Sequence, residues 1–227
     1  IRNIAAQAEE AVRGGKTQLV LSDRYIAPGK LPVHASLAVG AVHHRLTEQG
    51  LRCDSNILVE TATARDPHHF AVLLGFGASA VYPYLAYEVL ADLIRTGEVL
   101  GDLDEVFKYY RKGISKGLLK ILSKMGISTI ASYRGAQLFE AIGLAEEVVG
   151  LSFKGVSSRI KGARFEDLEN DQKLLAAEAW SARKPIQQGG LLKFVHGGEY
   201  HAYNPDVVNT LQAAVQQGDY LSLIHIS

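Results

Sequence analysis

RKGISKGLLKILSKMGISTIASYRGAQLFEAIGL, residues 111 to 144, is the stretch from which the fold prediction starts. In its first half, apolar residues recur every three or four positions with lysines between them, which is typical of an amphipathic helix. The apolar set is Ile114, Leu118, Ile121, Leu122 and Met125, and the lysines are Lys112, Lys116, Lys120 and Lys124. Gly126 is then expected to end the helix.

The second half of this stretch is predicted to change structure twice. The β-branched run from Ile127 to Ile130 favours a short strand. From Gly135 to Ile142 the apolar residues return to helical spacing, and Gly143 is expected to end that helix. The whole stretch therefore predicts a helix, strand, helix unit.

Before this stretch, helices and strands are predicted to alternate three times. Helical patterns cover Ile4 to Val12, the segment between Pro32 and Gly50, His68 to Leu74 and Leu85 to Ile94; strand patterns cover Gln18 to Ser22, Ile57 to Glu60 and Ser79 to Tyr82. Strands that follow one another through a helix are usually parallel, with right-handed crossovers. The predicted fold class is α/β, either an open sheet or an incomplete (β/α) barrel.

Asp102 is expected to cap the long helix of the opening stretch. After that stretch, the chain predicts a strand from Val148 to Phe153, a basic loop from Ser157 to Ala163 and a helix from Phe165 to Ala182. Four apolar residues of the last helix are expected in the core: Leu168, Leu175, Ala179 and Trp180.

Lys184-Pro185 and Gly189-Gly190 predict a domain boundary, because proline and glycine interrupt regular structure. Beyond it, the residues from Leu191 to Tyr203 give a weak hairpin signal. Asn204 is expected to cap a final helix whose apolar face is formed by Val207, Val208, Leu211 and Val215.

The charge and composition disfavour several partners. Lysine plus arginine and aspartate plus glutamate both number 24, so no net field would attract nucleic acid or an anionic membrane. No apolar run approaches the roughly 18 to 20 residues needed to span a bilayer. Cys53 is the only cysteine, which excludes an internal disulfide or a multi-cysteine cluster within this chain and favours the cytoplasm.

Polar residues at the carboxyl ends of predicted strands are the candidates for a site. Asp23 and Arg24 follow the first strand, and the turn Ser132 to Arg134 follows the strand predicted inside the opening stretch. Ligand-binding residues of parallel α/β folds concentrate at this edge. A structural turn is nevertheless the preferred interpretation of both segments, with Asp23 capping a turn before Pro28.

A zinc site formed by histidines, a glycine-rich nucleotide-binding loop and a reactive cysteine are alternatives that the sequence disfavours. His43-His44 and His68-His69 lack the i, i+4 spacing of a helical zinc site, and Asp66 is expected to cap a helix that begins beside His68. Gly75 to Ser79 ends a helix and precedes a strand, the reverse of a nucleotide-binding loop. Cys53 is expected to be a lone, partly buried thiol.

Three segments of the chain resemble one known family. They are the opening stretch, SNILVETATARDPHHFAVLLGFGASAVYPYLAYE at Ser55 to Glu88, and GGLLKFVHGGEYHAYNPDVVNTLQ at Gly189 to Gln212. Together they closely resemble the large subunit of bacterial, NADPH-dependent glutamate synthase, over nearly everything from Ile1 to Tyr220. Because that subunit is far longer and this sequence has no initiator methionine, an internal fragment is expected.

The resemblance implies a division into domains. Residues 1–184 are expected to be the carboxyl-terminal part of the glutamate synthase central domain, with an incomplete (β/α) barrel-like fold of parallel strands. Residues 185–220 are expected to be the start of the FMN-binding domain, the truncated entry to a second (β/α) barrel. Residues 221–227 depart from the family and are expected to be a non-native tail.

The resemblance also implies a function. Glutamate synthase releases ammonia from glutamine in an amidotransferase domain, passes it through an internal tunnel, adds it to 2-oxoglutarate and reduces the product on FMN. The large subunit also holds an iron–sulfur cluster, and the small subunit brings NADPH and FAD. No catalytic, cofactor-binding or metal-binding residue of the family carries over to this segment. Its expected role is to link the amidotransferase and FMN sites and to brace the ammonia path, with the remaining domains and the small subunit as partners.

Two other functions stay open. One is a self-contained (β/α)-barrel enzyme that acts on a small anionic substrate through Asp23, Glu60 and Lys124, although too few strands are visible to close a barrel. The other is a noncatalytic α/β scaffold that mediates contacts between subunits.

Overall fold

A computed structural model describes residues 1–181, 189–219 and 221, and the chain divides into two compact units, Ile1–Trp180 and Ser181–Ser227. The boundary predicted at Lys184-Pro185 and nearly all of the tail predicted at 221–227 lie outside the described residues. In the described ranges, no helix combines the length and the apolar character that crossing a membrane requires.

The first unit begins with alternating helices and strands. They are α1 (Arg2–Arg13), β1 (Gln18–Ser22), α2 (Ala35–Glu48), β2 (Asn56–Glu60), α3 (Pro67–Gly75), β3 (Ala80–Tyr82) and α4 (Tyr84–Arg95). The three strands form one sheet in the order β1-β2-β3, and both neighbouring pairs are parallel. The predicted elements and their parallel pairing are confirmed for this part of the chain.

The two faces of this sheet have different surroundings. Leu19 lies opposite Ile57 and Leu21 opposite Val59, and this row packs into the core of the unit. The intervening positions face the other way, and Val20 there is 62% exposed. Parallel sheets are normally covered on both faces. The described part of this unit covers only one.

Helix α2 lies closest to the centre of the core. Val39, Val42 and Leu46 are completely buried on it. It begins at Ala35 with His34 as its N-cap, so the prediction that Pro32 opens it is wrong by three residues. The cap of α3 is as predicted, because the Asp66 carboxylate accepts hydrogen bonds from the backbone N–H groups of His68 and His69.

The long helix predicted at the opening stretch is α5 (Leu103–Lys124), capped by the Asp102 side chain. Ile114 and Leu122 are buried, Leu118 and Ile121 are half-buried against the same core, and all four lysines are exposed. Met125 follows the last turn and is 44% exposed, so its assignment to the buried face is wrong.

The rest of the opening stretch differs from its prediction. In place of a strand at Ile127 to Ile130, Thr129 caps a short helix, α6 (Ile130–Tyr133). In place of a helix at Gly135 to Ile142, the chain forms the strand β4 (Glu140–Leu144). Gly135 has φ +71° and Gln137 has φ +53°, and these left-handed conformations prevent a right-handed helix from continuing through the segment.

Two further predictions are reversed in the next segment. The strand predicted from Val148 to Phe153 is the helix α7 (Glu146–Ser152), which buries Val148, Val149 and Ser152 at helical spacing. The loop predicted from Ser157 to Ala163 is the strand β5, parallel to β4. β5 exists because its backbone pairs with β4, a contact that its basic, small-residue sequence does not reveal.

Helix α8 (Phe165–Ala179) confirms the last helix predicted in this unit, but not its core positions. Leu168 is half-buried against the cluster around Val148, whereas Leu175 is 60% exposed and Ala179 and Trp180 are also exposed. The apolar residues of α8 therefore have few partners among the described residues.

The second unit contains one described helix, α9 (Pro205–Gln217). The Asn204 side chain accepts a hydrogen bond from the Val207 backbone N–H, which confirms the predicted cap. The predicted hairpin is wrong, because the described residues from 191 to 203 form turns and bends without a strand. Ala214 is the buried apolar residue of α9, while Val208, Leu211 and Val215 are exposed.

Candidate functional site

The carboxyl ends of β1 and β2 bring together the polar residues that follow each strand. Asp23 and Arg24 come directly after β1, Glu60 ends β2, and Thr61 follows it. Because the strands are parallel and Ser22 lies opposite Glu60, these side chains share one edge of the sheet. This edge is the candidate functional site.

The Asp23 carboxylate joins the two loops at this edge. It accepts hydrogen bonds from the Thr61 hydroxyl at 2.5 Å and from the Ala62 backbone N–H at 3.0 Å. The prediction that Asp23 caps a turn before Pro28 is therefore wrong, since its partners lie across the sheet edge. Thr61 is almost completely buried, so this network holds the end of β2 against the end of β1.

Tyr84, the first residue of α4, completes the Asp23 network. Burial, together with a hydrogen bond to Asp23, raises the pKa of its hydroxyl to about 12. Tyr84 is buried, and the Arg24 guanidinium lies 5.2 Å from the centre of its ring. Tyr84 therefore links the start of α4 to both residues that follow β1.

Arg24 and Glu60 form the second polar network at this edge. An Arg24 nitrogen lies 3.0 Å from a Glu60 carboxylate oxygen, and the Ser22 hydroxyl donates to the other oxygen at 2.5 Å. The hydrogen bond from Ser22 lowers the pKa of Glu60, and Arg24 lowers it further. Arg24 also reaches Glu88 of α4 at 3.4 Å. Glu60 is consequently held as a paired carboxylate.

A cavity of about 440 Å³ opens beside these networks. Apolar side chains, including Val20 and Ile26, line most of it, and Asp23, Lys30 and Glu60 contribute polar groups. Both of its carboxylates already have hydrogen-bond partners. The arrangement favours a structural role, because both carboxylates are held by partners from within the chain.

The barrel-enzyme hypothesis required Asp23, Glu60 and Lys124 in one place. The structure brings Asp23 and Glu60 to the same sheet edge. Lys124 is exposed in the last turn of α5, and it forms no hydrogen bond or ion pair with either of them in the part of the chain described. The three residues do not form a common site.

The other candidates for chemistry lie apart from this edge. Within residues 1–181, 189–219 and 221, no cluster of three or more His, Cys, Asp or Glu side chains has the geometry for a metal ion. Gly75 to Ser79 connects the end of α3 to β3. This is the predicted order of a helix followed by a strand, the reverse of a nucleotide-binding loop. Cys53 is exposed, so the prediction of partial burial is wrong.

Sequence reasoning missed a cationic cluster around His43. Arg52 donates from Nε to His43 Nδ1 at 3.0 Å, and burial, followed by the charge of Arg52, lowers the pKa of His43 to about 4. The charge of Arg134 lowers it as well, although Arg134 lies more than 80 positions away along the chain. No local pattern indicates this proximity, which depends on how residues 133–137 pack against α2.

Comparison with known proteins gives a consistent assignment for the chain. The model of the family described as "Glutamate synthase central domain" matches residues 1–145. The glutamate synthase [NADPH] large chain of Bacillus subtilis is 38% identical over 222 residues, which cover 97% of this chain and 15% of that protein.

Relatives with other electron donors are equally similar. Ferredoxin-dependent glutamate synthase 1 of Arabidopsis thaliana is 42% identical over 92% of this chain and 14% of that protein. Glutamate synthase [NADH] of Saccharomyces cerevisiae is 38% identical over 98% of this chain and 11% of that protein. The chain thus spans between 11% and 15% of the length of these relatives.

Proposed function

Because this chain belongs to the glutamate synthase central domain family, we propose that it is a segment of a glutamate synthase large chain. The parent enzyme would be an oxidoreductase that makes glutamate from glutamine-derived ammonia and 2-oxoglutarate by FMN-dependent reductive amination. The observation that carries this proposal is the match of 92% to 98% of the chain to relatives with that name.

The proposed role of this segment is structural: it links the amidotransferase and FMN sites and braces the ammonia path. The paired state of the polar groups at the sheet edge supports this role, because Asp23, Glu60 and Arg24 all have partners within the chain. Such networks fix the positions of their members. Accurate positioning of two distant sites is what transfer of a reactive intermediate requires.

We further propose that β1, β2 and β3 belong to an incomplete (β/α) barrel. Their parallel order and the helices between them support this. Val20 and Tyr82 are exposed on the uncovered face of the sheet, where a barrel places its interior. The remaining domains of the same large chain would cover this face.

The proposed domain division is 1–184 for the central domain, 185–220 for the start of the FMN-binding domain and 221–227 for a non-native tail. Two observations support it. The family match over residues 1–145 supports the assignment of the first part, and the compact units separate at Trp180, close to the proposed boundary.

The proposed cofactors belong to the parent and not to this segment. FMN and an iron–sulfur cluster would be held by other domains of the large chain, and a small subunit would bring NADPH and FAD. The names of the relatives specify NADPH, NADH or ferredoxin, and the proposal of NADPH follows the Bacillus subtilis large chain. The partners would be the remaining domains, the small subunit and the substrates glutamine and 2-oxoglutarate.

A coupling experiment tests the linking role. In a complete large chain that carries this segment, Asp23→Asn should weaken the bonds to Thr61 and Ala62 and loosen the sheet edge. We expect glutamine hydrolysis and ammonia-dependent glutamate synthesis to persist, while glutamine-dependent synthesis falls. Lys124→Ala, which changes an exposed residue, is the matched control. A parallel loss of all three activities, or of none, would contradict the proposal.

The isolated chain provides a second test. We expect the purified 227-residue protein to bind no FMN and to form no glutamate from ammonia, 2-oxoglutarate and a reductant. Flavin absorbance of the dialysed protein and a glutamate assay measure this. A yellow protein with stoichiometric FMN would show that the flavin site lies within this segment.

A further inference from the structure

The guanidinium of Arg52 lies half-buried and has no carboxylate partner among the described residues. Its Nη1 donates to the Ser55 carbonyl at 2.6 Å, its Nη2 to the Gly77 carbonyl at 2.7 Å and its Nε to His43 Nδ1 at 3.0 Å. Neutral acceptors satisfy these hydrogen bonds but leave the charge uncompensated. A buried charge is normally paired with one of opposite sign.

His43 is held as a neutral hydrogen-bond donor by this contact. An arginine always donates, so His43 Nδ1 must be the acceptor, and the ring proton is then on Nε2. Nε2 lies 3.9 Å from the position that a Cβ on Gly135 would occupy, beside the backbone of Arg134. The ring therefore presents an N–H group toward the segment that carries the second arginine.

Arg134 brings another uncompensated charge to the same place. Its Nε is buried and has no hydrogen-bond partner, and the side chain forms no ion pair with a carboxylate of the described residues. Arg52 contacts one nitrogen of the His43 ring, and Gly135, the neighbour of Arg134, lies beside the other. Burial lowers the pKa of Arg52, and the charge of Arg134 lowers it further. In the part of the chain that the structure describes, no acidic side chain contributes to the pKa of His43 either.

The backbone holds these groups in fixed positions. The Gly135 N–H donates to the Gly75 carbonyl at 2.8 Å, so the segment after α6 is attached to the end of α3. At Gly77 a Cβ would lie 2.6 Å from the His43 ring, and φ there is +123°, so only glycine allows this approach. These contacts hold the His43 ring and the segment that carries Arg134 next to each other.

We propose that Arg52, Arg134 and the Nε2–H of His43 form a binding site for a small oxyanion. Guanidinium groups present paired donors that match carboxylate and phosphate oxygens. An anion between them would accept the unused Nε–H of Arg134 and compensate both charges. The site lies away from the Asp23 edge, and it does not depend on the function proposed above.

Titration with inorganic phosphate tests the site in the 227-residue chain. We expect saturable binding by calorimetry and a matching rise in the unfolding temperature, compared with sodium chloride at equal ionic strength. Arg134→Gln should weaken phosphate binding by about tenfold, because one charge-assisted donor set is lost. Arg159→Gln, which removes an exposed arginine, is the matched control and should leave the affinity unchanged.

If circular dichroism shows that the Arg134→Gln protein does not fold, Arg134→Lys provides a second test of the site. Lysine retains the charge but loses the planar fork, so the phosphate affinity should still fall. Equal responses to phosphate and chloride would overturn the proposal, as would an Arg134→Lys or Arg134→Gln protein that binds phosphate as tightly as the Arg159→Gln control.

A complete large chain that carries this segment distinguishes two sources of the oxyanion. If phosphate binds to this site in both proteins, the ligand is a dissolved anion. If phosphate binds only to the 227-residue chain, a carboxylate of the remaining polypeptide occupies the site in the complete protein. Either result supports the site, whereas absence of Arg134-dependent binding from both proteins rejects it.

Discussion

Single residues at the carboxyl edge of the sheet connect elements that are distant in sequence. Asp23 bonds to Thr61 and Ala62 after β2, and Tyr84 at the start of α4 bonds to Asp23. One carboxylate therefore holds three chain segments together. Its position after a strand was evident from the sequence, but its partners were not, because they lie at sequence separations that no local pattern reports.

Tyr84 should make stability depend on pH in the alkaline range. Its pKa is raised from about 10 to about 12 in the folded protein, so the unfolded state loses this proton first. The stabilising contribution is complete below pH 10 and is lost as the pH rises toward 12. Urea unfolding at pH 9 and pH 11 should show a smaller decline for Tyr84→Phe than for the parent protein. Tyr25→Phe, at a residue that is 86% exposed, should match the parent.

His43 should make the stability of the protein decrease as the pH falls in the acid range. Its pKa is lowered from 6.5 to about 4, chiefly by burial, so the unfolded state takes up this proton first. The contribution is complete above pH 6.5 and is lost as the pH falls toward 4. His43→Gln should therefore flatten the stability profile between these values, and the control His68→Gln, at an exposed residue, should not. Equal profiles for the two variants would place the titrating group elsewhere.

At the scale of elements, close contact between helices depends on a missing side chain. A Cβ on Gly40 of α2 would lie 1.8 Å from the Ser152 carbonyl oxygen at the end of α7. Glycine at this position is required by the approach of the other backbone and not by its own dihedral angles. The missing side chain lets the end of α7 lie directly against α2.

Gly40→Ala should therefore destabilise the protein by about 1–3 kcal/mol or more, because α2 and α7 must separate. Gly150→Ala is the matched control, since nothing lies within 4 Å of its Cβ position inside α7. That change should be neutral or slightly stabilising, because alanine favours helices. Chemical denaturation of both variants measures the difference. A neutral Gly40→Ala would show that α7 does not pack at this distance.

Helix α5 permits a similar comparison between its two faces. Leu122 is buried in the main core, so Leu122→Ala should cost roughly 2–5 kcal/mol by leaving a cavity. Lys120→Ala changes an exposed residue and should be nearly neutral. Leu118→Ala should fall between them, because Leu118 is only half-buried. Equal losses for Leu122→Ala and Lys120→Ala in urea unfolding would mean that the buried face is misassigned.

On the scale of the whole molecule, the uncovered face of the β1-β2-β3 sheet indicates a contact with polypeptide outside this chain. Val20 is exposed there although parallel sheets normally have both faces covered. We expect Val20→Lys to change the stability of the 227-residue chain by less than about 0.5 kcal/mol. In a complete large chain the same change should lower the soluble yield or the unfolding temperature, because it buries a charge. No difference between the two proteins would argue against a covered face.

Periodicity and capping residues were sufficient to predict which helices and strands residues 1–124 form, although the start of α2 was wrong by three residues. Each helix there has a long apolar stripe, and Asp66 and Asp102 supply recognisable caps. Each of the first three strands lies between two such helices, which predicts their parallel order. Local free energies of helix and strand formation agree with the tertiary packing in this part, so the sequence pattern and the structure coincide.

The secondary structure of residues 126–163 depends on tertiary contacts. Runs such as Val148 to Phe153 are short and apolar, and they fit a buried strand as well as a buried helix. Packing of Ser152 against Gly40 selects the helix, and backbone pairing with β4 makes a strand of the polar segment Ser157 to Ala163. The place of Arg134 beside His43 and the partners of Asp23 were likewise decided by packing, because long-range contacts select among local conformations of nearly equal free energy.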